Sequence, residues 1–356
     1  METSTSLYIP VQRATHSRIH EVDWDNLEFG QYTTDHMLIS DYTDGEWQTP
    51  QILPFGDFSL SPTTLALHYG QTIFEGMKVF RMDGGAIQIF RPQKHYERFV
   101  RSAERLAMPI VSQDVFIEGL RRLVILEKDW VPGQAGSALY LRPFIFATEA
   151  RLRAHVSGTY RYTVVASPAG PYYSKPVRVK VERDFSRAPK GGTGYAKCGG
   201  NYGGAFYPTQ KAKEEGYDQL LWTDGKDHNH IEESGAMNVF FVIGDTLLTP
   251  PLSDSILDGI TRDSLIRLAK DAGIPVEERP IAVEELKKAF DKKTIREAFG
   301  AGTAAVISPI RTIGIDGVDY DLPSSDRPAV SELLKTALDN IRYGRKEDVH
   351  GWNYIV

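Results

Sequence analysis

Hydrophobic and polar residues alternate along several short segments in the N-terminal half of the chain. The segment "HMLISDYTDGEWQTPQILPFGDFSL" predicts short strands around a turn at Asp44-Gly45, and "GAIQIF" predicts another half-buried strand. Two longer apolar runs, "ALYLRPFIFAT" and "RYTVVASPAG", predict strands buried on both faces. This half of the chain is therefore expected to contain a sheet.

Other segments switch to a helical spacing of apolar residues. In "KHYERFVRSAERLAM" one helix face is formed by Tyr96, Phe99, Val100, Ala103 and Leu106. A second helix follows in "VFIEGLRRLVILEKDW". Further helices are predicted in "TRDSLIRLAKDAGI", where Thr261 suits the N-terminus, in "VEELKKAF", and in "AVSELLKTALDNIRYG", which Asp326 and Pro328 precede as start signals.

Strand patterns return in the C-terminal half. "VRVKVERDF", "QLLWTD" and "IEESGAMNVFFVIGDTLLTPP" predict strands, with Gly244-Asp245 as a hairpin turn. Residues 167–176, "SPAGPYYSKP", interrupt the pattern with Pro and Gly and predict a linker. We expect an N-terminal domain over residues 1–166, an interdomain loop over 167–176 and a C-terminal domain over 177–356. The order of elements predicts a mixed α+β fold with largely antiparallel or mixed sheets.

Composition excludes several classes of protein. The 356 residues are 41% hydrophobic and 25% charged, as in ordinary globular proteins. A net charge of -6 without a Lys/Arg cluster argues against nucleic acid and anionic membranes as partners. The single cysteine, Cys198, rules out an intrachain disulfide and a cysteine-rich metal site, so we predict no metal and a reducing, cytoplasmic location. The Ser/Thr-rich N-terminal segment fits an ordinary polar tail, which we favour, or a transit peptide.

A glycine-rich run, "GGTGYAKCGGNYGG", places Lys197 among small residues. It is not a P-loop, because Lys197 follows Ala196 and precedes Cys198. It is not a dinucleotide fingerprint either, because Lys197 occupies the place of the third glycine. A lysine flanked by small residues could form a Schiff base with a flat carbonyl ligand. The alternative, a solvent-exposed lysine, is about equally supported by the run alone.

Three further segments bear on that choice. Glu233 in "EESGAMNVFF" could keep a heterocyclic nitrogen protonated, or it could be a charge at a strand edge. In "LDGITRDSL", Ile260 and Thr261 open a helix whose N–H groups suit a phosphate, although an ordinary capped helix has the same pattern. In "GAGTAAVISP", Thr303 and its small neighbours could approach an anion or form a tight core turn.

The order and spacing of these features resemble the fold-type IV pyridoxal-phosphate aminotransferases, most closely the branched-chain amino acid aminotransferases. The class IV signature positions are Glu233, Asn238, Val239, Phe240, Leu247, Thr249, Leu257, Gly259, Ile260 and Arg262. The resemblance extends from "FGQYTTDHML" through "LHYGQTIFEGMKVFR" and "LYLRPFIF" to "HGWNYIV". It implies a two-domain enzyme with a smaller N-terminal α/β domain and a larger C-terminal pseudo-barrel of mostly antiparallel strands.

The resemblance also implies roles toward the cofactor, pyridoxal 5′-phosphate. Lys197 would hold it covalently and move the proton during catalysis, Glu233 would pair with the pyridine nitrogen, and Tyr202 would hydrogen-bond the phenolic oxygen. The residues implied for the phosphate are Arg98, Ile260, Thr261 and Thr303. Arginine suits a phosphate because its planar fork makes paired, charged hydrogen bonds.

For the substrate, the resemblance implies an apolar pocket lined by Tyr69, Phe74 and Tyr140. Arg142 would contact the side-chain carboxylate of glutamate, and amides near Thr303 and Ala304 would bind the α-carboxylate. Core packing is the alternative for each aromatic residue alone. The animal members' Cys-x-x-Cys pair is absent, so thiol regulation is not predicted, and the loop tyrosines Tyr172 and Tyr173 are either gate residues or exposed.

The implied activity is reversible transamination of L-leucine, L-isoleucine and L-valine with 2-oxoglutarate, giving branched-chain 2-oxo acids and L-glutamate. The family also implies a homodimer. The alternatives are a D-amino acid or (R)-amine transaminase, an aminodeoxychorismate lyase, or a non-catalytic member of the family. The N-terminal extension, "LYLRP" and the C-terminal tail favour the branched-chain group.

Overall fold

A computed structural model describes residues 7–170, 175–323 and 328–356. The predictions for Tyr172, Tyr173 and Asp326 lie outside these residues. The chain forms two compact units. Unit 1 contains Met1–Tyr172, Ala196–Gly199 and Arg342–Val356, and unit 2 contains Tyr173–Tyr195 and Gly200–Ile341.

The described residues contain eighteen strands and seven α-helices. The strands are β1 (His36–Thr43), β2 (Glu46–Trp47), β3 (Gln51–Pro54), β4 (Thr72–Phe74), β5 (Met77–Arg81), β6 (Ile87–Phe90), β7 (Ala138–Ala147), β8 (Tyr160–Ala169), β9 (Val177–Val181), β10 (Gln219–Thr223), β11 (Ile231–Ser234), β12 (Met237–Ile243), β13 (Thr246–Thr249), β14 (Val276–Glu278), β15 (Ile295–Gly302), β16 (Val306–Ile315), β17 (Val318–Asp321) and β18 (Asn353–Ile355). The helices are α1 (Leu65–Tyr69), α2 (Pro92–Arg105), α3 (Gln113–Leu126), α4 (Gly199–Glu214), α5 (Ile260–Asp271), α6 (Val283–Asp291) and α7 (Val330–Arg342).

Unit 1 is built on an antiparallel sheet with the strand order β18-β6-β5-β7-β8-β1-β2, to which β3 and β4 are added at β1 and β7. The predicted turn between β1 and β2 is confirmed. Asp44 and Gly45 have φ values of 55° and 85°, as a tight two-residue hairpin turn requires. Helices α2 and α3 pack against each other, and α3 packs on β1.

The predicted apolar face of α2 is confirmed, but the helix is buried on more than that face. Phe99 and Ala103 lie in the core of unit 1, whereas the predicted Val100 is only half-buried. The polar residues His95, Arg98 and Ser102 of the same helix are also buried. A polar face without access to water needs internal partners.

The C-terminus of the chain returns to unit 1. Strand β18 pairs with β6 in the register Asn353↔Phe90. The division into units therefore differs from the predicted bounds, since residues 342–356 and 196–199 belong to unit 1. Strand β8 also continues to Ala169, into the segment predicted as a linker. Unit 1 holds more residues than unit 2, although the resemblance implies a smaller N-terminal domain.

Unit 2 is a closed sheet. Its strand order is β11-β10-β9-β16-β15-β12-β13-β14, and an additional pairing of β11 with β12 joins the ends of the first six strands into a ring. Strand β9 is parallel to β10 and β16, and the other pairs of the ring are antiparallel. The expected pseudo-barrel of mostly antiparallel strands is confirmed, as is the mixed α+β class.

Helix α4 covers part of the glycine run, where no helix was predicted. Its first six residues include four glycines, and Pro208 lies inside it. Because Gly and Pro are the weakest helix formers, local propensity gives no signal for this helix. Packing of Ala205 and Ala212 against Leu220 and Trp222 of β10 supplies the missing stabilisation. Among the described residues, no helix combines the length and hydrophobicity that crossing a membrane requires.

Candidate active site

Lys197 lies in unit 1 on a four-residue segment bound beside β4. The N–H of Phe74 donates to the Lys197 carbonyl over 2.9 Å, and Cys198 forms an antiparallel bridge with Ile73. The Lys197 N–H donates to Ser102 Oγ over 2.9 Å. Lys197 is half-buried, and its Nζ lies 4.7 Å from the centre of the Phe74 ring. The predicted lysine is therefore held by its backbone on both sides.

Helix α2 places Arg98 next to this segment, because Ser102 Oγ donates in turn to the Arg98 carbonyl over 2.9 Å. The Arg98 guanidinium binds the carboxylate of Glu75, with Nε–Oε1 and Nη2–Oε2 distances of 2.6 and 2.9 Å. His95 Nδ1 lies 2.6 Å from Glu75 Oε2. All three side chains are almost completely buried.

Burial and neighbouring charges together shift the pKa values of Glu75 and His95. Burial alone would raise the pKa of Glu75, but the positive charge of Arg98 and the contact with His95 outweigh it and hold the pKa well below its ordinary value. Burial lowers the pKa of His95, and the nearby positive charges of Arg98 and Lys197 add to that effect. The group is thus a buried carboxylate beside a charged arginine and a neutral histidine.

Three of the predicted substrate residues contact one another. Arg142 Nη2 donates to Tyr140 Oη over 3.1 Å, and its guanidinium carbon lies 4.7 Å from the centre of the Phe74 ring. Arg142 Nε is buried and has no hydrogen-bond partner among the described residues. A side chain at Gly76 would overlap the Tyr140 hydroxyl, so glycine is required there.

Tyr69 is not part of this group. It is the last residue of α1 and 46% exposed, and its ring contacts that of His68. The other predicted substrate residues, Thr303 and Ala304, are half-buried in the turn between β15 and β16 in unit 2. Val306, the first residue of β16 after this turn, has φ 62°, a strained backbone conformation for a β-branched residue.

In unit 2, Glu233 is a buried carboxylate surrounded by donors. Its Oε1 accepts hydrogen bonds from the N–H of Leu257 over 2.7 Å and from Asn238 Nδ2 over 3.4 Å. Its Oε2 lies 2.7 Å from Arg187 Nε. The side chain is only 3% exposed. Because an isolated buried carboxylate is costly, these donors stabilise its charged form.

Glu233 and Tyr202 line the same cavity, of about 150 Å³, between α4 and the barrel. Its other lining residues include Arg187, Trp222, Ala236 and Leu257. A cavity with mostly apolar walls and a few convergent polar groups is typical of a small-molecule site. An aromatic ring with a protonated nitrogen fits this donor set, because the carboxylate supplies the charge that such a nitrogen needs.

The start of α5 is connected to the same carboxylate. Asn238 Nδ2 donates to the Leu257 carbonyl over 2.9 Å, and a side chain at Gly259 would overlap Asn238. Gly259 has extended φ and ψ and provides no side-chain cap for the helix. Ile260 and Thr261, both buried, then begin α5. The N–H groups at a helix N-terminus suit a phosphate.

Comparison with known proteins agrees with this arrangement. Residues 72–313 match the family described as amino-transferase class IV. The chain belongs to the class IV aminotransferase family. The match includes Arg98, Lys197, Tyr202, Glu233, Ile260, Thr261 and Thr303 within its bounds.

Among its relatives, the chain is 43% identical to a probable branched-chain-amino-acid aminotransferase of Staphylococcus epidermidis, over 94% of each chain. It is 42% identical to branched-chain-amino-acid transaminase 1 of Bacillus subtilis, over 94% of this chain and 95% of the relative. Its fold is similar to the crystal structure of the branched-chain aminotransferase from the thermophilic archaeon Thermoproteus uzoniensis with norvaline. That structure has a TM-score of 0.72, 28% identity, and coverage of 90% of this chain and 99% of the other.

Several residues of this class IV aminotransferase were missed by sequence reasoning. Glu75, His95 and Ser102 surround Arg98 and the Lys197 backbone. Arg187 contacts Glu233. Glu75 and Arg98 are 23 residues apart, and only the tertiary fold makes them a pair. Among these missed residues, only those of α2 could have been found from the sequence. His95, Arg98 and Ser102 follow the i, i+3, i+7 spacing of one helix face.

Proposed function

We infer that the protein is a branched-chain amino acid aminotransferase that uses pyridoxal 5′-phosphate. It transfers the amino group of L-leucine, L-isoleucine or L-valine reversibly to 2-oxoglutarate. The observation that carries this conclusion is the buried, ion-paired Glu233 in the wall of a largely apolar cavity. The family match and relatives at 42–43% identity over most of the chain support it.

The chemistry supplied by bound pyridoxal phosphate is an electron-accepting ring that stabilises negative charge at the substrate Cα. We assign Lys197 to hold the cofactor through its amine and to move the proton at Cα. Glu233 keeps the ring nitrogen protonated, and Tyr202 donates to the phenolic oxygen. The backbone bonds from Phe74 and to Ser102 fix the lysine segment, so that its side chain starts from a defined position.

We assign the cofactor phosphate to Arg98, the amides of Ile260 and Thr261, and the Thr303 hydroxyl. Glu75 orients the Arg98 guanidinium by binding its Nε and Nη2 side. For the substrate, we assign Phe74 and Tyr140 to the apolar wall and the amides near Thr303 and Ala304 to the α-carboxylate. The buried, unpartnered Nε of Arg142 supports its assignment to the second carboxylate of glutamate.

A homodimer explains the exposure of Tyr69. Leu67, Tyr69, Leu152 and Val156 are 64%, 46%, 68% and 57% exposed. Their two segments are joined by a bridge between Thr64 and Ala150. Exposed apolar groups of this kind mark protein interfaces. Light scattering should give twice the chain mass, and a Leu67→Glu, Leu152→Glu variant should give the monomer; a wild-type monomer would contradict the dimer.

Turnover is tested with an amino-donor panel against 2-oxoglutarate, recorded together with the visible absorbance of bound cofactor. L-leucine, L-isoleucine and L-valine should react, whereas D-alanine, an (R)-amine and aminodeoxychorismate should not. Lys197→Ala should abolish covalent attachment, measured by mass spectrometry after borohydride reduction. Wild-type protein that binds no pyridoxal phosphate would contradict the proposal. Bound cofactor without turnover would indicate a non-catalytic member of the family.

We also propose a cytoplasmic location. The single cysteine is a buried, free thiol, which agrees with a reducing compartment. Cell fractionation followed by immunodetection tests this. Recovery in a secreted or organellar fraction would contradict it.

A further inference from the structure

Arg187 connects three segments of unit 2 at the buried carboxylate. Its Nε lies 2.7 Å from Glu233 Oε2 on β11. Its Nη2 donates to the carbonyls of Gly194 and Ser255, over 2.7 and 2.8 Å. Gly194 packs directly on the Ser255 backbone, where a Cβ would overlap it. The guanidinium therefore holds the glycine run and the loop before α5 together beside Glu233.

This arrangement controls the charge of Glu233. A carboxylate only 3% exposed, without a positive neighbour, takes up a proton more readily than in water. The Arg187 guanidinium is only 9% exposed, so the field of its positive charge is poorly screened. The hydrogen bonds from Leu257 and Asn238 to Oε1 favour the same anionic form. A protonated glutamic acid would not stabilise a protonated ring nitrogen.

Several other titratable groups belong to the same part of unit 2 as Glu233 and Arg187. Glu232, the neighbour of Glu233 on β11, is buried and accepts a hydrogen bond from Ser255 Oγ. Burial raises the pKa of Glu232, and the attraction of Arg187 partly opposes this. Asp254 lies on the loop before α5, Asp224 follows β10, and both negative charges act on Glu232. Tyr202 of α4 lines the cavity. Arg187 is thus the basic side chain placed among these acids.

We propose that Arg187 is a positioning residue that keeps Glu233 ionised and oriented in the cavity wall, so that Glu233 can hold the cofactor ring nitrogen in its protonated form. This inference rests on the function proposed above. The planar Arg187 guanidinium contacts the Glu233 carboxylate and two backbone carbonyls at once, and its positive charge is what acts on the ionisation of Glu233.

The test compares Arg187→Gln, Arg187→Lys, Glu233→Gln and the Arg187→Gln, Glu233→Gln double variant with the wild type. Thermal unfolding of each apoenzyme checks the fold, and fluorescence titration gives the Kd for pyridoxal phosphate between pH 6 and 9. We expect Arg187→Gln to bind more weakly than the wild type at pH 6, where loss of the positive neighbour favours a protonated Glu233, and to approach the wild type at pH 9. Its kcat pH profile should lose activity on the acid side.

Arg187→Lys keeps the charge and should restore a nearly wild-type pH dependence. In the Glu233→Gln background, Arg187→Gln should change the Kd less than about twofold, because the group through which it acts is gone. Equal loss in both backgrounds would show a merely structural role and overturn the inference. A folded Arg187→Gln or Arg187→Lys protein with a pH-independent loss would overturn it as well. Wild-type protein without cofactor binding would instead contradict the proposed function.

Discussion

At the scale of single residues, the acid Glu75 determines how Arg98 is held. Replacing it by glutamine leaves the arginine buried without its ionic partner. We expect Glu75→Gln to lower the free energy of unfolding by about 3–5 kcal/mol, as for other broken buried pairs. Urea unfolding measures this. Glu97→Gln is the matched control, because its pair with Lys94 is 50–52% exposed and should contribute less than about 1 kcal/mol. Equal losses would contradict a special role for Glu75.

Gly76 fixes the position of Tyr140 in the proposed substrate site. A Cβ at this buried position would overlap the tyrosine hydroxyl. Gly76→Ala should therefore displace Tyr140, raise KM for L-leucine and cost about 1–3 kcal/mol of stability through overpacking. Steady-state kinetics and urea unfolding measure the two effects. Gly84→Ala, at a position with open space and ordinary φ, should leave both unchanged; an unchanged KM in Gly76→Ala would contradict the assignment of Tyr140.

At the scale of elements, α4 carries glycines that its helical backbone does not require. Gly203 and Gly204 have ordinary φ values and nothing within 4 Å of an added Cβ. Changing each to alanine should stabilise the protein by about 0.4–1 kcal/mol, mainly by reducing the entropy of the unfolded chain. Gly199→Ala is the contrasting variant, because its Cβ would lie 2.9 Å from Thr72 Cγ2. Thermal unfolding compares them, and destabilisation by both Gly203 and Gly204 variants would contradict an open helix face.

Helix α4 also shows where sequence reasoning stops. The long helices and most strands follow from periodicity, because their burial is one-sided and repeats with the backbone. Helix α4 has no such signal, since its glycines and Pro208 oppose local helix formation and only packing on Trp222 favours it. The residues of the candidate site divide in the same way, into those that the sequence reveals and those that only the fold reveals. The glycine run singled out Lys197 and the signature singled out Glu233, whereas their partners Ser102 and Arg187 are ordinary polar residues until the fold places them.

At the scale of the whole molecule, the end of the chain is part of the fold of unit 1. Trp352 is 6% exposed, and its ring lies 4.8 Å from the Arg91 guanidinium carbon and 5.8 Å from the Phe90 ring. Trp352→Ala should lower the free energy of unfolding by about 3–5 kcal/mol. Val349→Ala, at a residue 73% exposed, should change it by less than about 0.5 kcal/mol. Urea unfolding of both variants tests this, and similar values would contradict a structural role for the C-terminal strand.

The buried ionisable groups of unit 1 give the protein a defined acid sensitivity. Burial and nearby positive charges lower the pKa of His95, so the unfolded chain takes up this proton first as pH falls below about 6.5. The pKa of Glu75 is also lowered, and its contribution is lost as pH falls below about 4.5. Burial raises the pKa values of Glu127 and, in unit 2, Glu232, whose contributions have the opposite sign and decrease as pH rises.

The His95 contribution to the free energy of unfolding should therefore fall when pH is lowered from 7 to 5, whereas the contributions of Glu127 and Glu232 should rise over the same range. Urea unfolding at steps of half a pH unit measures the slope. The His95→Gln variant should lose less stability than the wild type over the same range, since it removes the group that the unfolded chain protonates. An equal pH slope of the two proteins would contradict the lowered pKa of His95.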